Sequence, residues 1–236
     1  MSSSGHLVLA QEYLGVQAPG IILEVALHLA TALAILIYFR RRLVDIFRGA
    51  AGEPGRGGRF LALIVVASIP AAAVGLLLED QVAAIFESPR LVGAALIFTA
   101  AVLFLSAVIR RGRFRVADLG FAGAIAIGFA QALAITPGVS RSGMTIVAGL
   151  LVGLAGAEAA TFSFLLSVPA IGGAALLEAR KIESFTGNWP ALAAAFVVAF
   201  LAGLAAIYVV LATVRGRRFT WFGAYCAAVG IAALLI

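Results

Sequence analysis

The stretch Thr136-Pro137-Gly138-Val139-Ser140-Arg141-Ser142-Gly143 decides how this chain is read, because it interrupts an apolar region that would otherwise pass for continuous membrane helix. Proline lacks an amide donor and glycine adds backbone entropy, so the stretch makes a poor helix centre. Broken backbone of this kind survives at bilayer depth only where it is buried in protein or lines a cavity. The backbone groups it frees then become available to a ligand.

Outward from this point the charges divide the sequence into apolar segments at residues 21–39, 60–78, 91–109, 119–139, 142–157, 159–177, 191–214 and 219–236. A helix needs roughly 20 apolar residues to cross the hydrocarbon, so most of these are spanning candidates. The apolar runs are continuous rather than alternating, which excludes the strands of a barrel. With 63% hydrophobic and 12% charged residues, the chain has too few polar side chains to cover a soluble globule. The expected fold class is an all-α polytopic membrane protein of about six transmembrane helices plus re-entrant helical hairpins. The single cysteine, Cys226, excludes an intrachain disulfide and a cysteine-rich metal site, and two histidines leave little for a metal cage. The net charge of +6 reflects membrane topology rather than nucleic-acid binding.

That topology follows from the arginines. Residues 40–59, 110–115 and 215–218 carry thirteen cations between them, whereas residues 79–90 and 180–190 carry three. The first set faces the cytoplasm by the positive-inside rule. An odd number of crossings must therefore separate Arg115 from Arg180, yet three apolar segments lie between them. Either all three cross, or residues 119–157 enter from the cytoplasm, turn near Pro137–Gly143 and return, leaving 159–177 as the only full crossing. The broken backbone favours the second reading.

An internal repeat accompanies it. Met1-Ser2-Ser3-Ser4-Gly5-His6 and Val139-Ser140-Arg141-Ser142-Gly143-Met144 share Ser-x-Ser-Gly, and each is followed by a short apolar stretch and three longer spans. By the arginine count the first half begins outside and the second inside. The whole chain, 1–236, thus reads as one membrane domain built of two inverted repeats, 1–115 and 116–236, whose polar sites meet near the midplane. The match is incomplete: residues 119–137 form a first hairpin leg in the second half, and its counterpart in the first half is missing.

Arg141 is the strongest chemical signal. A guanidinium among apolar segments costs about 2.5 to 3.5 kcal/mol even on a lenient insertion scale. Its fork suits a phosphate, and Ser140, Ser142, Thr145 and the Gly138 and Gly143 backbone add donors of the kind that cradle an anion at a helix start. The alternative places Arg141 in a short loop at the membrane face, with serine and glycine merely packing helices. His6, close to Ser3 and Ser4, could act as general acid or base, though on spacing alone a solvated terminal histidine fits as well. Glu24 and His28 stand one turn apart on a shared face, where an acid near a helix start needs no further role. Glu158 reads as a boundary marker, Asp118 as the N-cap of the buried leg, and Pro70 and Pro169 as kinks within spans.

Taken together these residues resemble the undecaprenyl-diphosphate phosphatases, bacterial membrane enzymes linked to bacitracin resistance. Pro137-Gly-Val-Ser-Arg-Ser-Gly-Met-Thr145 is similar to that family's pyrophosphate-binding signature and Ser2-Ser-Ser-Gly-His6 to its serine-histidine motif. Phe162-Ser-Phe-Leu-Leu-Ser-Val-Pro169 and Tyr38-Phe-Arg-Arg41 also read like family segments, and the likeness runs from Ser2 onward. It implies metal-assisted hydrolysis of a C55 isoprenyl diphosphate to the monophosphate and inorganic phosphate, in the bacterial cytoplasmic membrane, as part of lipid-carrier recycling for cell-wall synthesis. Ser3 then matches the proposed nucleophile or phosphate ligand and His6 its partner. Arg141, with Gly138, Ser140, Ser142, Gly143 and Thr145, matches the diphosphate clamp. Magnesium or calcium is the implied cofactor, the isoprenyl diphosphate lipid and the bilayer are the implied partners, and there is room for a homodimer.

The sequence departs from the family at one place. Family members carry two glutamates four residues apart just before the serine-histidine motif, as expected metal ligands or an acid-base pair. Here the chain begins at Met1, and Glu12 and Glu24 do not occupy those positions. A misassigned start is the expected explanation, with activity near background should the chain truly begin there. A non-enzymatic carrier moving a lipid phosphate between leaflets is the competing reading, since secondary transporters share inverted repeats and broken helices. A packing protein without ligand is the third, and it leaves every polar residue unexplained.

Overall fold

A computed structural model describes residues 2–14, 21–52, 56–77, 88–109, 112–180, 188–216 and 218–235. Among these residues the chain is helical, with one isolated parallel bridge between Phe114 and Leu154. The helices are α1 (Ser3–Leu14), α2 (Ile21–Tyr38), α3 (Arg40–Gly52), α4 (Arg56–Leu77), α5 (Pro89–Leu105), α6 (Phe121–Leu133), α7 (Arg141–Leu151), α8 (Gly156–Ala179), α9 (Trp189–Arg215) and α10 (Thr220–Leu235). A 3₁₀ turn at Val116–Asp118 precedes α6.

Length decides which helices cross. At 1.5 Å per residue, α4, α8 and α9, with 22, 24 and 27 residues, exceed the roughly 30 Å of hydrocarbon. Helices α2, α5 and α10 are shorter, at 18, 17 and 16 residues, and reach about 24 to 27 Å, which modest local thinning accommodates. Their surroundings are lipid by composition: Val65, Ile69 and Leu76 on α4, and Val198, Leu201 and Tyr208 on α9, are all exposed. So much contiguous apolar surface is stable only in a membrane.

The 119–157 region is a re-entrant hairpin. Helices α6 and α7 have 13 and 11 residues, about 20 and 17 Å, so neither crosses alone. They pack on each other. The two mouths of the hairpin are stitched together, since Phe114 N–H donates to the Gly153 carbonyl at 3.1 Å and Ala155 N–H donates to the Phe114 carbonyl at 2.9 Å. The chain therefore leaves on the face it entered. That face also holds the Glu158 carboxylate, which accepts from Val116 N–H at 3.0 Å and lies 3.7 Å from the Arg42 guanidinium. Arg59 donates to the Leu119 carbonyl at 3.0 Å.

Two sequence expectations need adjustment. Residues 40–52, expected only as a cytoplasmic connection, fold into α3, with Ile46 buried and Leu43 half-buried one turn before it while the arginines stay exposed. An interfacial helix of this kind is too charged for a hydropathy cut to find. Asp118 does not cap α6; Gly120 stands at that position. The Asp118 carboxylate instead accepts from Arg115 N–H at 3.0 Å, closing the 3₁₀ turn. Pro70 and Pro169 do lie inside helices.

Small residues let the helices approach. A Cβ on Gly230 of α10 would fall 2.8 Å from the Gly93 carbonyl oxygen of α5, and one on Gly128 of α6 would fall 2.5 Å from the Ala67 carbonyl oxygen of α4. In a membrane, dispersion across such close contacts replaces the hydrophobic drive. Helix α5 becomes a central post, with α10, α7 and α1 all packed on it. The functional side chains gather around it.

Candidate active site at the hairpin tip

The turn from α6 into α7 is built by three devices. Gly138 takes φ +90°, a conformation costly for any residue with a Cβ, and a Cβ there would also lie 2.6 Å from the Val92 carbonyl oxygen of α5. Thr99, buried on α5, then holds the exposed backbone: its hydroxyl donates to the Gly138 carbonyl at 3.0 Å and accepts from Ser140 N–H at 3.1 Å. Ser140, also buried, caps α7 by accepting from Gly143 N–H at 3.2 Å. Every one of these contacts satisfies a backbone group that lipid could not.

Arg141 is the first residue of α7. Its carbonyl accepts from the Thr145 hydroxyl at 2.8 Å. Thr145 is buried and has spent its proton on that bond, so Ser163 of α8 is the donor across their 2.6 Å contact. The guanidinium is half-buried, and among the described residues it makes no ion pair and no side-chain hydrogen bond. His28 of α2 lies within electrostatic reach of both Arg141 and Glu178 of α8. The Glu24 side chain falls outside the described ones.

The amino-terminal motif joins this turn from the other side. Gly5 of α1 is buried, and a Cβ there would lie 2.8 Å from Gly138 Cα. Ser3 opens α1 and is exposed, while Ser4 and His6 are half-buried. The His6 ring hydrogen-bonds the Ser2 carbonyl through Nδ1 at 2.9 Å and the Tyr225 hydroxyl of α10 through Nε2 at 2.8 Å.

Of the residues singled out in the sequence, Gly138, Ser140, Arg141, Ser142, Gly143 and Thr145 thus form one helix start, and Gly5 brings Ser3 and His6 beside it. Three participants were not foreseen: Thr99, Ser163 and Tyr225. Thr99 and Gln131 are polar side chains deep within apolar runs, a signal the sequence carries. Gln131 is buried on α6, and neither amide atom has a hydrogen-bond partner among the described residues. Ser163 stands in the phenylalanine-serine segment and Tyr225 near the end of the chain, with nothing local to mark their partners.

A hard divalent cation takes oxygen ligands, mainly carboxylates. Around Arg141 the described side chains are mainly hydroxyls, with the His28 imidazole and the Glu178 carboxylate further out, and among the described residues no three His, Cys, Asp or Glu gather that could hold a metal ion. These residues do not fit such a cation by themselves.

Residues 1–232 match the family of the bacitracin resistance protein BacA. The chain is 42% identical over 232 residues to an undecaprenyl-diphosphatase of Elusimicrobium minutum, covering 98% of this chain and 89% of that protein. It is 40% identical over 239 residues to an undecaprenyl-diphosphatase of Desulforudis audaxviator, covering 100% and 90%. A third, from Moorella thermoacetica, is 39% identical over 226 residues, covering 95% and 86%. A membrane-embedded helix start that carries a guanidinium and is ringed by hydroxyls, matched along nearly the whole length, places this chain in the bacitracin resistance protein BacA family.

Proposed function

We propose that the chain hydrolyses undecaprenyl diphosphate to undecaprenyl phosphate and inorganic phosphate, returning a lipid carrier to cell-wall synthesis in the bacterial cytoplasmic membrane. The names of its relatives support the reaction, and one observation carries the site: the Arg141 guanidinium stands at a buried helix start without an anionic partner among the described residues. A cation held away from water without a counter-charge is costly, and a diphosphate is the ligand that offsets it. The amide groups of the first turn of α7 and its positive dipole end add to the attraction.

On this reading the substrate lies with its isoprenyl tail in lipid and its diphosphate across the two motifs. Arg141 forks onto the phosphate oxygens while the first turn of α7 holds the terminal group. A nucleophile from the α1 side, the Ser3 hydroxyl or a water, attacks the terminal phosphorus, and the anhydride P–O bond breaks to leave undecaprenyl phosphate; water yields inorganic phosphate directly, whereas a phosphoserine formed on Ser3 is hydrolysed by a second water to release it. His6 takes up the nucleophile's proton. Thr145 and Ser163 orient Arg141 from behind through its carbonyl. In-line phosphoryl transfer is mainly a matter of such positioning and charge neutralisation.

Two further elements belong to this reading. The halves 1–115 and 116–236 act as an inverted repeat in which α1, α2, α4 and α5 correspond to α7, α8, α9 and α10. The mutual packing of α2 with α8 and of α5 with α10 supports it, as does the pairing of α2 with α9 beside that of α8 with α4. The site opens toward the outer face: by the arginine rule His28 lies toward the outer end of α2 and Glu178 at the outer end of α8, and both surround the region Arg141 reaches. Magnesium or calcium remains a proposal drawn from the resemblance.

The test is phosphate release from undecaprenyl diphosphate by purified protein in detergent, with and without Arg141→Ala and with and without chelation. Loss of hydrolysis in the variant, with the fold retained, is the expected result. Undiminished release by Arg141→Ala would end the proposal.

A further inference from the structure

The His6 ring is held at both nitrogens, and the two partners are not equivalent. A carbonyl only accepts, so the Nδ1 that lies 2.9 Å from the Ser2 carbonyl carries a proton. In the neutral ring Nε2 is then bare and accepts from the Tyr225 hydroxyl at 2.8 Å. The rings also stack, 5.5 Å apart and parallel within 1°. Free histidine in water prefers the opposite tautomer, with the proton on Nε2, so this environment selects the less common form. Selection is by the protein, because both partners are fixed by helices: Ser2 precedes α1, its carbonyl also accepting His6 N–H at 3.2 Å, and Tyr225 sits on α10.

A second bond supports the same arrangement at the other end of α1, where the Tyr13 hydroxyl donates to the Ala233 carbonyl at 3.1 Å. Helix α10 therefore grips α1 through its two aromatic hydroxyl contacts, while α5 supports both helices from behind. The last helix of the chain positions the first.

We infer that Tyr225 is a positioning residue for the hydrolysis: with the Ser2 carbonyl fixing the proton on Nδ1, the Tyr225 hydroxyl and stacked ring hold the imidazole plane and its bare Nε2 in place, so that the imidazole enters the reaction as a proton acceptor. The inference rests on the assignment of His6 as the proton acceptor made above. Its chemical content is specific. In this state His6 offers no free N–H to a phosphate, because its one proton is committed to the Ser2 carbonyl. Its lone pair is held toward Tyr225 until the nucleophile's proton arrives. Loss of the tyrosine hydroxyl leaves the Ser2 carbonyl to keep the proton on Nδ1 but removes the partner that holds Nε2 in place.

With only two histidines in the chain, the test is direct. The ¹⁵N shifts of histidine-labelled protein in detergent distinguish the tautomers, and His28→Gln assigns the His6 signals. The unmodified protein is expected to give a protonated Nδ1 and an unprotonated Nε2. Tyr225→Phe, which keeps the stacked ring, is expected to leave the proton on Nδ1 and to shift the Nε2 signal as its hydrogen bond is lost. Hydrolysis should lose on the order of tenfold to a hundredfold in kcat with little change in KM, part of what a general base supplies. Tyr13→Phe, which removes only the distal tether, should leave the His6 signals in place. An unshifted Nε2 signal in Tyr225→Phe, or a shifted signal with undiminished kcat, overturns the inference. A His6→Ala protein that hydrolyses normally would instead overturn the assignment of His6, and the Nε2 shift would still report on Tyr225.

Discussion

Gly5 and Gly138 touch backbone to backbone: a Cβ on Gly5 would come within 2.8 Å of Gly138 Cα and 2.9 Å of Gly138 N. Gly5 closes the first Ser-x-Ser-Gly motif and Gly138 stands two residues before the second, more than a hundred residues further along the sequence. This contact joins the start of the chain to its middle in one site, and it leaves no room for a side chain.

Gly138→Ala is accordingly expected to be severe. The residue would need a left-handed φ of +90° and would push a methyl against the Val92 carbonyl oxygen at 2.6 Å. Backbone strain alone costs about 1 to 3 kcal/mol. Thermal unfolding in detergent should report a lower Tm, and phosphate release should fall steeply. Gly172→Ala in α8, where a Cβ meets nothing within 4 Å, is the control and should leave Tm unchanged or slightly raised.

At Arg141, charge and geometry separate. Arg141→Ala removes a cation that has no ion-pair partner among the described residues, so stability should hold or improve while kcat/KM drops by roughly a hundredfold or more, as for the loss of two charge-assisted hydrogen bonds. Arg141→Lys keeps the charge without the fork and should recover only part of the activity. A large fall in Tm in Arg141→Ala would mean that the guanidinium serves the fold.

Thr99 never touches the proposed substrate, yet its loss should be felt at the site. Thr99→Val has nearly the same shape but strands the Gly138 carbonyl and Ser140 N–H, at about 1 to 3 kcal/mol for each orphaned group. The expected signs are a lower Tm and a raised KM, with Thr99→Ser close to the parent in both.

The Thr145–Ser163 pair should behave as a unit. Thr145→Val and Ser163→Ala each break the 2.6 Å contact, so a double-mutant cycle on kcat/KM should give a coupling of about 0.5 to 3 kcal/mol. Additive effects would separate Ser163 from the clamp.

Much of this protein is legible in its sequence. The apolar segments at 60–78, 159–177 and 191–214 become α4, α8 and α9 with ends shifted by a few residues, because bilayer thickness imposes a length that composition alone reveals. The re-entrant hairpin is legible from Pro137 and Gly138 together with the parity of the arginine-rich loops. Helix α3 is not, since its apolar face is only Leu43, Ile46 and its neighbours among the charges of an arginine-rich loop. Asp118 looks like a helix cap in sequence because the capping rule weighs only the helix C-terminal to it, whereas its carboxylate turns back to Arg115.

The sequence by itself determined the membrane environment, the break that turns residues 119–157 back on themselves and the helix start at Ser140-Arg141, because these depend on local composition and on backbone groups that lipid cannot satisfy. Only the tertiary structure decided which distant hydroxyls serve that helix start. Thr99, Ser163 and Tyr225 are tied to their partners by nothing in their own neighbourhoods; they matter because α5, α8 and α10 pack where they do, at distances set by glycines on facing helices. A hydrogen bond across such an interface is fixed by two backbones at once, and neither stretch of sequence contains the other.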